Sequence, residues 1–162
     1  MAGRARKWPE LVARAVSEGH DVQLHCLEHL RHTASSRERI ERDTDSALAL
    51  LAPLSVHPRR WRTPWGVCAD WTADVAGARG LRLTGWTLDT QDWSGLAAGV
   101  MLQRSLAAAD GDSVVLLHDG LGPGARRDGC GQTADLIVPL VEALRDRGVS
   151  CEALGDRPVA PA

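Results

Sequence analysis

Ser113-Val114-Val115-Leu116-Leu117-His118-Asp119-Gly120 is a continuous apolar run that stops abruptly on two ionisable residues and a glycine. Val and Leu without polar alternation predict a strand covered on both faces, as in a parallel sheet between helices. Sheets of that kind place their chemistry at the carboxyl ends of the strands, which is where His118 stands.

Working outward, helices and strands alternate along the whole chain. Upstream, Leu96 to Ala109 has the composition of a helix, and Leu81 to Leu88 reads as a strand ending at Asp89. A short helix from about Ala69 to Arg79 is closed by Gly80, and Trp61-Arg62-Thr63-Pro64-Trp65-Gly66 is a strand followed by a tight turn fixed by Pro and Gly. Thr33-Ala34-Ser35-Ser36 supplies an N-cap region for a helix to about Leu51, with Ile40, Thr44, Ala47, Leu48 and Leu51 inward and Pro53 as its stop. His20 to His25 alternates and predicts a strand. Trp8 to Glu18 predicts an amphipathic helix with Leu11, Val12, Ala15 and Val16 on one side, stopped by Gly19. Downstream, a glycine-rich basic loop (residues 120–131) leads to a helix over Ala134 to Arg147, a short strand near Val149 to Leu154 and a tail from Arg157. This order implies an α/β fold with a parallel sheet or barrel and helices outside, in a single domain over residues 1–156 with residues 157–162 as tail.

Four polar residues, His25, Arg62, Asp89 and His118, each fall at or just beyond the carboxyl end of a predicted strand, and that recurrence argues for a site at one rim. His25 and His29 are four residues apart, a spacing that turns both imidazoles to one face of a helical turn and lets them share one cation. Zinc is the first expectation for such a cation, because neutral imidazole is among its usual ligands. A pair of surface histidines at a strand end is the bland alternative. His32 is a third candidate ligand of much lower weight, and Cys26, adjacent to His25, points elsewhere.

Composition narrows the classes. A net charge of −2 gives no general field for nucleic acid or a membrane surface, and no apolar run is long enough to cross a bilayer. The N-terminus carries basic residues with no apolar core behind them, so a cytoplasmic, monomeric protein is expected. Cys26, Cys68, Cys130 and Cys151 form no CxxC pair, which argues for free thiols. There are six Trp and neither Phe nor Tyr. Trp61, Trp65, Trp86 and Trp93 lie among Pro, Gly and Asp, as cleft walls or as core.

These residues together resemble the polysaccharide deacetylases of the NodB-homology type, carbohydrate esterase family four. His25-Cys26-Leu27-Glu28-His29 is similar to the family's H-[S/T]-x-x-H, with Cys26 in place of the hydroxyl residue. Arg62-Thr63-Pro64-Trp65-Gly66 matches R-x-P-[Y/W]-G, Asp89-Thr90-Gln91-Asp92-Trp93 matches an Asp followed shortly by Trp, and Leu116-Leu117-His118-Asp119 matches L-x-H-D. The family's T-F-D-D-G motif, which supplies a metal-binding Asp and the catalytic base, has no match, so the chain resembles a member without its first β-α-β segment. The expected fold is a distorted (β/α) barrel of the NodB-homology type lacking that segment.

The resemblance implies a metal-dependent hydrolase that removes acetyl groups from N-acetylated sugars or polysaccharide, impaired here by the missing motif. The substrate is an acetylated carbohydrate or a small acetamido compound. His25 and His29 would ligate a divalent metal, zinc first, with cobalt or nickel as alternatives. His118 would be the general acid, Asp89 would support its charge, and Arg62 would orient acidic neighbours. Trp65, Gly66, Trp93 and Leu116 would meet the substrate, with a backbone N–H near Trp65 on the oxyanion. No base is assigned. Arg126-Arg127 is read as a solvated loop, the alternative being a contact to an anionic substrate group. The competing functions are a catalytically inactive paralogue that binds metal or glycan, and a hydrolase of a non-sugar linear amide or an O-acetyl ester.

Overall fold

The computed structural model describes residues 1–155 and 159–160, so most of the tail expected from Arg157 lies outside the described residues. Contacts gather into two compact units, Met1–Gly85 with Ala153–Ala162, and Trp86–Glu152.

The first unit contains α1 (Ala2–Lys7), α2 (Pro9–Ser17), α3 (Arg37–Leu51), β1 (Arg60–Trp61), α4 (Thr72–Gly77) and β2 (Arg82–Leu83). The capping signal before α3 is used as expected: Ser36 Oγ accepts from the Arg39 amide at 3.3 Å, filling one of the donors that a helix start leaves open. Ile40, Thr44, Ala47 and Leu51 then recur on the buried side, and a 3-10 turn through Pro53 ends the element at Ser55, whose φ is 57°. β1 pairs in parallel with β2, Arg60 opposite Arg82 and Trp61 opposite Leu83, while Leu24 bridges Trp61, also in parallel. The core joins Leu24, Ile40, Ala47, Leu51, Val56, Trp61, Val75, Ala76 and Leu81.

The helix expected over Trp8 to Glu18 forms as α2, and α1 precedes it; the two are separated at Trp8 (φ −134°, ψ 60°), because a residue before proline is driven out of the helical region. Of the apolar side of α2, Val12 packs against the core, while Leu11 and Val16 stay 57% and 43% exposed. The strand predicted over His20 to His25 reduces to the single bridge at Leu24. Gln23 explains part of this: its side-chain carbonyl accepts the Arg59 and Arg60 amides at 2.8 Å each, doing with a side chain what a strand backbone would otherwise do.

The second unit contains β3 (Leu88–Asp89), α5 (Ala98–Ala108), β4 (Val115–Leu116) and α6 (Gly131–Asp146). β3 and β4 pair in parallel, Leu88 opposite Val115 and Asp89 opposite Leu116. Met101 of α5 packs with Leu136, Leu140 and Leu144 of α6. The single strand predicted over Leu81 to Leu88 is therefore two strands in two sheets. The Thr84 amide still donates to Trp61 O at 3.0 Å, whereas the Thr87 and Leu88 amides both donate to Val114 O, so the chain changes partner across Gly85. The final strand near Val149 to Leu154 does not form. Gly148, at φ 76°, turns the chain so that the Val149 amide returns to Leu144 O at 3.0 Å and closes α6. Every pairing among the described residues is parallel, as the apolar run at 113–117 implies.

Candidate active site

In the first unit, the segment leaving the Leu24 bridge carries His25 and, after a bend, His29. Their ring centroids lie 5.1 Å apart, edge to face. His25 Nδ1 is 2.6 Å from Arg62 O, and since a carbonyl only accepts, Nδ1 carries the proton and Nε2 keeps its lone pair. Burial, then the Arg62 guanidinium charge, push the His25 pKa down to about 3, so the ring is neutral near pH 7. The bend is held from α3: Asp43 accepts the Leu27 amide at 3.0 Å and the Glu28 amide at 2.8 Å. Trp61 of β1 fixes the other side by donating Nε1–H to His25 O at 2.9 Å.

The turn after β1 puts Trp65 against this pair. Its ring centroid is 4.2 Å from that of His29, and the Arg31 guanidinium lies 5.2 Å from its ring. Trp65 adopts φ 56°, a left-handed conformation that costs of order 1–3 kcal/mol for a bulky residue. Gly66, at φ 69°, donates its amide to Thr63 O at 3.0 Å and so closes the turn.

Two imidazoles on one bend, that of His25 neutral, fit as donors to a divalent cation. They are not a complete set: among the described residues no three His, Cys, Asp or Glu groups come together in a metal-holding cluster. His32 is a buried core residue, its Nδ1 3.2 Å from Thr72 Oγ1 and its ring stacked on Trp71, with burial lowering its pKa to about 4. Burial pushes the Cys26 thiol up to about 12, which leaves it inert.

In the second unit, β4 ends at Leu116, which is 6% exposed, and delivers His118 two residues later. The carboxylate that holds His118 is not Asp89 but Asp92. His118 Nδ1 lies 2.7 Å from Asp92 Oδ1, and the His118 amide donates to Asp92 Oδ2 at 2.8 Å. Asp89 instead accepts the Gln91 amide at 2.8 Å and Trp93 Nε1–H at 3.4 Å, stabilising the turn that carries Asp92 inward. The turn itself passes through Gln91 at φ 57°. Burial alone would raise the Asp92 pKa, but hydrogen bonds from His118 and Thr133 outweigh it, and the carboxyl is held below its ordinary value.

Arg127 corrects the expectation of a solvated loop. Its side chain is 5% exposed, with Nη1 3.1 Å from Asp92 Oδ2 and Nη2 2.9 Å from His118 O. Sequence gives Asp92 and Thr133 no role of their own, and gives Arg127 only a solvated place or a contact to an anionic substrate group. The available signal was a second Asp three residues after the first, beside Trp93, and the Arg126-Arg127 pair in the glycine-rich loop that follows the His-Asp pair. The structure thus brings His25 and His29 together with Trp65 in one unit, and places His118, Asp89 and Trp93 around one turn in the other.

Comparison with known proteins matches residues 1–84 to the family described as Polysaccharide deacetylase. A chitooligosaccharide deacetylase of Rhizobium leguminosarum bv. trifolii is 33% identical, over 95% of this chain and 74% of its own length. A family 4 carbohydrate esterase from Streptomyces lividans, solved in complex with acetate, superposes with a TM-score of 0.84 at 22% identity, covering 100% of this chain and 81% of that one. A pseudoenzyme of the same esterase family from Bacillus anthracis gives 0.81 at 18% identity, covering 93% and 50%. The fold is thus that of the family 4 esterases, as the order of motifs implies. With its family match over more than half its residues and a relative identical at a third of positions across nearly its full length, the chain belongs to the polysaccharide deacetylase family, hydrolases of carbon–nitrogen bonds.

Proposed function

We propose that this chain contributes to removal of acetyl groups from an N-acetylated amino-sugar oligomer, with His118 as the general acid. The observation that carries the reading is the Asp92–His118 pair: a fully buried carboxylate 2.7 Å from Nδ1 of a ring that is one-third exposed. Nδ1 is occupied, so Nε2 is the atom left to deliver a proton to the departing amine as the carbon–nitrogen bond breaks. The Asp92 charge supports the imidazolium that this step requires, and such a group typically contributes 10²–10⁴-fold. The substrate class is supported by the relatives, which are chitooligosaccharide deacetylases.

His25 and His29 would hold a divalent cation, zinc first, with cobalt or nickel as alternatives. When bound, the metal would supply Lewis acidity toward the acetyl carbonyl and lower the pKa of a water. The chain's own part is to keep both rings in place, through Arg62 O and Asp43, and to keep His25 neutral. Arg62 would orient acidic neighbours, and Trp65 and Trp93 would face the acetyl methyl and the sugar.

That no carboxylate among the described residues completes the pair favours a second reading for residues 1–162 by themselves: weak metal retention and slow turnover, with binding of glycan or metal as the residual function. One measurement separates the two. Acetate release from acetylated chito-oligomers is assayed with zinc, for residues 1–162 and for a version carrying a T-F-D-D-G segment upstream. The extended form is expected to turn over and the short form hardly at all. No release from a folded, zinc-loaded extended form sinks the deacetylase reading, and robust turnover by residues 1–162 sinks the impairment.

A further inference from the structure

Arg127 is the one strongly buried cation in the second unit whose bonds go to a functional pair and to the backbone that carries it. Nη1 meets Asp92 Oδ2 at 3.1 Å and also donates to Thr133 Oγ1. Nη2 meets His118 O at 2.9 Å, Gly120 O at 3.1 Å and Cys130 Sγ at 3.4 Å. One guanidinium therefore ties together the carboxylate that holds the His118 ring, the main chain of His118 itself and, through Thr133, the first turn of α6.

The loop that presents Arg127 is itself fixed. The Arg126 amide donates to Trp93 O at 2.8 Å. Gly95, at φ 85°, lies so close that a Cβ there would sit 2.8 Å from Arg126 O. The loop and the turn carrying Asp92 therefore approach at backbone distance, and the arginine enters from a defined position. A lysine could supply the charge but not two nitrogens aimed at a carboxylate and two carbonyls at once.

From this geometry we infer that Arg127 is a positioning residue, which sets the reach of His118 by bracing Asp92 and the 118–120 backbone together. The inference rests on His118 being the proton donor, and its test reads geometry and not turnover, so the failure of one is distinguishable from failure of the other. In the chain labelled with 15N, exchange of the His118 Nδ1 proton with water is followed by NMR, alongside a thermal melt. R127Q is expected to keep its fold while that exchange quickens about tenfold or more, the loss of roughly one charge-assisted hydrogen bond. R127K is expected to fall between R127Q and the parent. Unchanged exchange in a folded R127Q overturns the inference. Where R127Q does not fold, R127K decides: exchange equal to the parent overturns it, and faster exchange supports it.

Discussion

Two regions of this molecule place a histidine just beyond a parallel β pairing, and they hold it in opposite ways. His25 is tied by Nδ1 to a neutral carbonyl, Arg62 O, and burial, then the Arg62 guanidinium charge, lower its pKa to about 3. His118 is tied by the same atom, at nearly the same distance, to the carboxylate of Asp92. A carbonyl partner fixes the tautomer and leaves a neutral ring with a lone pair to give; a carboxylate partner fixes the tautomer and offers a countercharge. Motif spacing places both rings, but the partner at Nδ1 decides whether a ring is suited to ligate a cation or to deliver a proton.

The sharpest way to break the contrast is to remove the countercharge. Asp92 is fully buried and accepts from His118 twice, from Thr133 and from Arg127. Asp92→Ala leaves the Arg127 guanidinium buried without its carboxylate, and should cost about 3–5 kcal/mol. Chemical denaturation, with hydrogen exchange in α6 as the local reporter, checks the size. A loss below about 1 kcal/mol would show that the pair is held by its surroundings and not by its charge.

Acid should then separate the two regions. His25 and His32 have folded pKa values of about 3 and about 4 against 6.5 ordinarily, so between those limits the unfolded chain binds protons that the native chain refuses. Their contribution is fully present above pH 6.5 and is lost as pH falls toward 4, at up to about 1.4 kcal/mol per unit for each ring. Asp92 has the same sign in a lower window: its pKa is lowered from 3.8, so its contribution persists at pH 4 and is lost only as pH falls further. Exchange protection in α3 should therefore fail before that in α6 as pH drops from 7 to 4. A His32→Gln variant should lose part of the slope, and a simultaneous collapse of both helices with no dependence on His32 would count against these assignments.

The bend that carries the two imidazoles gives a smaller effect. Asp43→Ala leaves the Leu27 and Glu28 amides without their acceptor, at about 1–3 kcal/mol if both stay buried and less as water replaces it. Zinc affinity, measured by competition, should weaken together with stability. Weakened stability with unchanged affinity would mean that the bend is not what sets the spacing of His25 and His29.

How much of this was legible in sequence depends on whether the signal was local. The Ser36 cap, the periodicity of α3, the turn at Pro64-Trp65-Gly66 and the parallel character of the strand ending at His118 follow from residues close together in the chain, and each is found. The failures came where a distant group supplied the partner. Gln23 replaced a strand ladder with its side chain, Val114 captured the amides after Gly85, and the burial of Arg127 depends on Asp92, 35 residues earlier. Sequence located the histidines; it could not show which partner each would meet at Nδ1.

The smallest prediction concerns the residue that sequence placed in Asp92's role. Asp89 is exposed at the end of β3, and its carboxylate caps the Gln91 amide and receives Trp93 Nε1–H at 3.4 Å, a long bond that contributes little. Asp89→Ala should cost about 1 kcal/mol or less, because water can take over for an exposed acceptor. Its effect on His118 should be indirect, through looser placement of the turn that brings Asp92 inward. Exchange of the His118 Nδ1 proton should therefore change far less in Asp89→Ala than in Arg127→Gln. If Asp89→Ala matched or exceeded Arg127→Gln in that measurement, the turn at 89–93, and not the guanidinium, would be what fixes His118, and the contrast between the two histidine centres would lie in the backbone that delivers each ring.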